Sequence, residues 1–351
     1  MGQPLILFGA GASFGSDTQG TPPLGGSLFD TLAEFSPQTW GGIQVGEAEL
    51  FRDNFEQGMR AFADVHPCDV DRLQRAMAGY FFTFQPTRFS LYVRLGERIR
   101  ASNWNGTLAS LNYERLLDLA LRSGGLECRI QAVRKGNTDI ELVLPHGCCH
   151  LFGKIRTPVP TPNLGCPGVP ITGAGTQPPV RVVSPVPTIL KAGKRADGTE
   201  PTTNLVGPGR SPVDFGHDVR LDSDTVRIIE APDEHAEELR KSTVPPVMCY
   251  FQPDKDTRAG VSFVRDQREC FKKLVGAAST VAIIGVMVRK HDTHIWGPLR
   301  ETGAKIIYCS GEKAGAKFRC WARAAGRKGD EVLPVFWDDG FRAICSGLGI
   351  G

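Results

Sequence analysis

The chain opens on an unbroken apolar run, Leu5 to Phe8, closed by the small residues Gly9-Ala10-Gly11-Ala12-Ser13. Such a run reads as a buried strand, and the small residues as a tight turn into a helix. Apolar positions then recur at helical spacing. Leu24, Leu28, Leu32 and Phe35 form one stripe, and Leu50, Phe51, Phe55 and Met59 another. Val70, Leu73, Met77, Tyr80 and Phe81 continue the pattern, followed by Phe89 to Ile99. These stretches predict a small helical module between the first and second strands. The second strand is Gly106 to Asn112, and it runs into a helix over Tyr113 to Leu121 that Gly124-Gly125 closes.

Residues 128–146 alternate as two strands around Gly136-Asn137 and predict a hairpin that delivers Pro145-His146-Gly147. Twelve of the 25 prolines fall between 158 and 212, where helix is excluded and central strands are disfavoured, so a long irregular excursion is expected. A short strand near 218–230 and a charged helix over 233–241 follow. The α/β rhythm resumes with a helix over 261–278 and a buried strand over 280–285. Asp292, His294 and Ile295 lead into a helix. A strand over 304–309, a helix over 314–325, an edge strand over 331–336 broken by Pro334, and a terminal helix over 341–346 complete the chain. Strands alternating with helices predict an α/β fold with a doubly wound, mainly parallel Rossmann-like sheet. The expected organisation is a single domain over 1–351. Its core is 1–35, 101–150 and 245–351, with a helical insert at 36–100 and a loop-rich insert at 151–244.

Composition narrows the class without naming it. The 351 residues are 41% hydrophobic and 23% charged, ordinary for a globular protein. A net charge of +3 is too small for a nucleic-acid footprint, so no direct nucleic-acid binding is expected. No apolar run reaches the length of a bilayer span, and the first residues carry no basic leader, so a cytoplasmic location is expected. The ten cysteines form no Cys-x-x-Cys pair, which favours reduced thiols over a disulfide framework or a paired-cysteine zinc site.

The candidate chemistry sits at strand ends. Gly9 and Gly11 let a ligand approach the backbone, and the helix start behind them suits a pyrophosphate. No Lys or Arg precedes Arg52, so a phosphate held there would rest on backbone N–H groups and Ser13. Phe14 stands where G-x-G-x-x-G requires its third glycine, and no Gly-Lys-Ser/Thr follows. Hydride-transfer and P-loop readings are therefore disfavoured. Asn112 ends the second strand, where it either caps the following helix or faces a ligand. His146, between a proline and a glycine, is either a general base or a loop histidine. His66, beside Pro67, suits a surface or helix-entry role.

Taken together, Gly9-Ala10-Gly11-Ala12-Ser13, Leu111-Asn112-Tyr113-Glu114 and His146-Gly147 resemble the sirtuin-like domains, in particular the bacterial branch that hydrolyses NAD in anti-phage defence. Ile284-Gly285-Val286-Met287, with Asp292 and Ile295 downstream, resembles the element that holds the adenosine half in those domains. Pro187 to Leu190 resembles a short strand before it. Glu114 replaces the usual Asp, and Val286-Met287 replaces Tyr-Ser, which removes a hydroxyl near the expected ribose.

The resemblance implies an NAD+ glycohydrolase that releases nicotinamide and ADP-ribose, as a defence effector depleting NAD. Asn112 would orient water or ribose, and His146 would act as general base. Gly9, Ala10, Gly11 and Ser13 would hold the pyrophosphate, with Glu114 and Gly285 in the cofactor site and Asp292 and His294 near the adenosine. NAD is then the substrate and no metal is needed. Two alternatives stand beside it: a non-catalytic nucleotide-sensing subunit, and a sirtuin-type deacylase or ADP-ribosyltransferase. The missing Cys-x-x-Cys pairs weigh against the deacylase. With no fused sensor domain, control by homo-oligomerisation or a regulatory partner protein is expected.

Overall fold

Leu5–Phe8 forms strand β1, and its four side chains are all buried because neighbouring strands flank it on both sides. The structure, a computed structural model, describes residues 2–351 apart from 67–68, 131–139, 156–220, 243, 250–256 and 258, with backbone only at 154–155 and 221–225. The Pro-rich stretch and Pro187 to Leu190 lie outside the described residues. In chain order β1 is followed by a single turn, α1 (Ala10–Ser13), and five helices: α2 (Gly25–Phe35), α3 (Val45–Asp53), α4 (Phe55–Val65), α5 (Val70–Phe82) and α6 (Leu91–Ser102). Next come β2 (Thr107–Ser110), α7 (Leu116–Ser123), β3 (Cys128–Ile130), β4 (Ile140–Val143), β5 (Gly147–Ile155), β6 (Leu221–Ile228), α8 (Pro232–Lys241) and β7 (Pro246–Met248). The last part holds α9 (Val261–Ala277), β8 (Thr280–Ile284), α10 (Thr293–Glu301), β9 (Lys305–Cys309), α11 (Gly311–Ala324), β10 (Glu331–Leu333) and α12 (Trp337–Gly347).

Among the described residues, seven strands make one sheet in the order β10-β9-β8-β1-β2-β4-β3, and every pair in it is parallel. Helices cover both faces, as an all-parallel sheet requires. Along β1, Ile6 and Phe8 enter one apolar cluster, with the helical insert and α12, while Leu5 and Leu7 enter the other, with α9, α10 and α11. This is the expected doubly wound Rossmann-like α/β fold. The chain moves from β1 to β2 on one side and later returns to β8 on the other. The strand order therefore reverses beside β1, and a crevice opens there at the C-terminal ends of the strands.

Two expectations are corrected. Residues 128–143 do not form a hairpin: β3 and β4 run parallel, with Cys128 opposite Ile140 and Ile130 opposite Leu142. Period-2 alternation fixes which face is buried but not the direction of the neighbouring strand. Asn112 does not cap the helix after β2 either. That helix starts at Leu116, its N-cap position is Arg115, and no side chain caps it.

The helical insert closes on aromatic contacts. Trp40 is fully buried against Phe29, Phe51 and Phe55, with ring centroids 5.5–6.2 Å away. His66 ends α4 and bonds Glu47 at 2.7 Å. A second sheet, antiparallel and ordered β6-β5-β7, was not foreseen. It starts at Gly147, whose φ of +73° turns the chain out of β4; a Cβ there would lie 1.9 Å from the Val247 carbonyl oxygen.

Candidate functional site

The crevice beside β1 is a cavity of 670 Å³, within the range of small-molecule sites. Its walls include Gly9, Ala10, Gly11, Asn112, Glu114, His146, Gly285 and Asp292. These eight residues, separated by up to 283 positions in sequence, converge because β1, β2, β4 and β8 are adjacent and parallel. Ser13 and His294, also predicted, stand one layer behind.

The glycine turn meets a second glycine rather than open space. Gly9 donates its N–H to the Ile284 carbonyl and Gly11 to the Gly285 carbonyl, both at 2.9 Å. A Cβ on Gly9 would approach the Gly285 oxygen to 2.7 Å, and one on Gly285 would come within 1.9 Å of the Ala12 nitrogen. The glycines therefore let β1 and β8 meet at the crevice. The N–H groups of Gly9 and Gly11, expected to face a pyrophosphate, are already bonded.

Ser13 differs from its expected role for a related reason. It is fully buried, and its hydroxyl is the centre of a polar network instead of a wall of the cavity. Ser13 Oγ donates to Glu114 Oε1 at 2.6 Å and accepts from Asn112 Nδ2 at 2.8 Å. Tyr92 OH lies 2.9 Å from the same oxygen. A hydroxyl has one proton, and Glu114 takes it, so Tyr92 is the second donor. Burial raises the Glu114 carboxyl above its usual range, opposed by the bonds from Ser13 and Asn112. Burial, with Glu114 next, pushes the Tyr92 phenol well above 10. Tyr92 carries no signal in the sequence, because α6 reads as one more amphipathic helix. Replacing Ser13 with Ala would leave the buried Tyr92 hydroxyl without its acceptor and take one bond each from Asn112 and Glu114. At about 1–3 kcal/mol per orphaned group, Ser13→Ala is expected to lose roughly 3 kcal/mol of stability, read as a lowered urea midpoint.

Asn112 is 5% exposed, and the network fixes its amide so that Oδ1 remains buried and unpartnered. Asp292, ahead of α10, also has a buried Oδ1 with no hydrogen bond, although His291 Nε2 stands 3.8 Å from it. Buried polar atoms normally have partners, so the free acceptor of Asn112 marks where a ligand's donor would bind.

His146 is 4% exposed, buried in the cavity wall and not carried on an open loop. Its Nε2 lies 2.8 Å from His294 Nε2, and its ring also bonds the Leu111 backbone. With Nε2 facing His294, the donor to the Leu111 carbonyl is Nδ1, so His146 presents an Nε2 lone pair that accepts from His294. Burial, followed by His294 and Arg268, holds its pKa well below 6.5. His294 thus meets the imidazole of His146 directly. Arg289 and Lys313, which the sequence reading passed over, bring positive charge to the cavity wall; Arg289 sits 3.6 Å from Glu56.

Burial also lowers the pKa of His150 and His235. The unfolded chain protonates all three imidazoles near pH 6.5, whereas the native chain holds them neutral. Stability is therefore complete above pH 6.5 and lost as the pH falls below it, by about 1 kcal/mol each for His146 and His150 at pH 5.5. Glu114, raised, opposes this over part of the range. Urea midpoints are expected to be lower at pH 5.5 than at pH 7.5.

No family model and no curated protein matches the chain. Among solved structures it is similar to a Sir2 homologue variant in complex with ADP-ribose. Identity there is 14% and the TM-score 0.37, over 93% of this chain and 95% of that one. A Sir2 homologue in complex with NAD is similar at 14% identity and a TM-score of 0.37, over 92% of this chain and 91% of that one. No helix among the described residues is long and apolar enough to cross a membrane.

Proposed function

We propose that the crevice binds NAD and hydrolyses its nicotinamide–ribose bond, releasing nicotinamide and ADP-ribose. The observation that carries this reading is the unpartnered acceptor Asn112 Oδ1, in one cavity with the Asp292 carboxylate and the neutral imidazole of His146. The motif resemblance of the sequence supports it. Cleaving the C1′–N bond leaves positive charge on the ribose, which a water then attacks. Asn112, fixed by Ser13, accepts from a ribose hydroxyl or the water. His146 Nε2 takes the proton once His294 releases it. Asp292 accepts from a hydroxyl at the far end. With Gly9 and Gly11 N–H groups engaged, the phosphates are met by Arg289 and Lys313. A role as a defence effector, and control by an oligomer or partner protein, belong to the same proposal.

Two observations favour a second reading. His294 occupies the lone pair that a general base needs, and Val286 and Met287 offer the cavity wall no side-chain hydroxyl. Both suit a protein that binds a nucleotide without turning it over. Nicotinamide release and NAD binding, measured together on purified protein, separate the readings. Release supports the hydrolase, binding without release supports the sensor, and no binding overturns both.

A further inference from the structure

Behind the cavity, at the start of β5, Cys148, Cys149 and His150 bring two thiol sulfurs and an imidazole nitrogen within 4.8 Å of one another, all three residues buried. His150 Nδ1 is 3.1 Å from Cys148 Sγ. Thiolates about 2.3 Å from a trigonal metal stand about 4.0 Å apart, so the donors need to close by at most about 0.8 Å. Beside them lies Arg115, 4% exposed, with an unpartnered Nε and no carboxylate in ion-pair range among the described residues. Its guanidinium stacks on Phe82 and reaches the Glu230 carbonyl, and its charge acts on both Cys149 and His150. Of the other titratable groups facing the cluster, Arg122 is neutralised by Asp118 and Glu230, His235 is a neutral imidazole bonded to the Cys149 carbonyl, and Glu114 lies toward Cys149. A buried guanidinium with no carboxylate in range among the described residues favours an anion at its side.

We propose that Cys148, Cys149 and His150 form a three-coordinate site for a thiophilic monovalent cation of the Cu(I) class. The two thiols would each lose a proton to solvent as two Cu–S bonds form, with no change of oxidation state. Two thiolates and one Cu(I) carry a net charge of −1, which offsets Arg115. Zn²⁺ would give a neutral complex, leave Arg115 unpaired and lack the fourth ligand that structural zinc takes. The site is independent of the chemistry in the cavity. It touches the same framework, because Cys148 Sγ contacts the carbonyls of Tyr113 and Glu114, one and two residues after Asn112.

The test is titration of the purified, reduced full chain with Cu(I) against a chromophoric Cu(I) chelator, with Zn²⁺ in a parallel arm. Wild type is expected to take one Cu(I), and Cys148→Ser, Cys149→Ser and His150→Ala to weaken binding at least tenfold. Cys320→Ser, at an exposed position, is expected to match wild type. X-ray absorption at the copper edge of the loaded wild-type protein is expected to give two sulfurs and one imidazole nitrogen, a readout that needs no variant to fold. Failure of wild type to compete with the chelator, unchanged binding in all three variants, a first shell without that ligand set, or tighter binding of Zn²⁺ than of Cu(I) would each overturn the assignment.

Discussion

Gly285→Ala is expected to abolish ligand binding and to cost about 3–5 kcal/mol of stability. Gly285 follows β8 with a φ of +67°, where an alanine is strained. Its Cβ would also lie 1.9 Å from the Ala12 nitrogen and 2.4 Å from the Gly11 carbonyl carbon, atoms of a backbone that cannot swing aside. Relief would require β8 and the turn after β1 to separate. That breaks the Gly11 N–H bond to the Gly285 carbonyl, and the Gly285 N–H bond to Cys309 is put at risk as well. The crevice is the junction of those two turns, so stability and binding should fall together. Urea unfolding and NAD binding on the same preparation check this. A variant as stable as wild type would show that the two turns are not rigidly apposed.

His146→Ala is expected to lower nicotinamide release by 10²–10⁴-fold, the usual contribution of a positioned general base, while NAD binding changes little. The imidazole is one of many residues that line the cavity. Its Nδ1 bond to the Leu111 carbonyl aims Nε2 at His294. Because burial and His294 hold its pKa below 6.5, the free base persists as the pH falls. The acid limb of kcat/KM should accordingly lie below 6.5. A limb at or above 6.5, or full activity in His146→Ala, would remove His146 from the chemistry.

Much of this molecule was legible from local pattern. Leu5 to Phe8 and the strands β8 and β9 are short apolar runs whose burial follows directly from their composition. The helices between 24 and 102 announce themselves by 3.6-residue spacing, and Pro334 after β10 agrees with an edge position. Gly9, Asn112 and His146 could be singled out because strand ends that carry small or polar residues are where parallel sheets collect ligands. Their convergence on one cavity needed only the parallel order of the strands.

Partnerships across the sheet were not legible, because they depend on which strands become neighbours. Alternation predicted strands at 128–143 but could not distinguish a parallel pair from a hairpin. The Gly9 and Gly11 N–H groups looked free until β8 came alongside and took them. Ser13 looked like a phosphate ligand until Tyr92, 79 residues away, and Glu114, 101 residues away, enclosed its hydroxyl. His294 looked like an adenosine contact until α10 brought it to His146. The sequence alone determined the elements and the strand-end residues, since spacing and residue type act locally. Only the tertiary structure decided which of those residues face the cavity and which are spent on one another, because hydrogen-bond partners and burial are set by chain segments far apart in sequence.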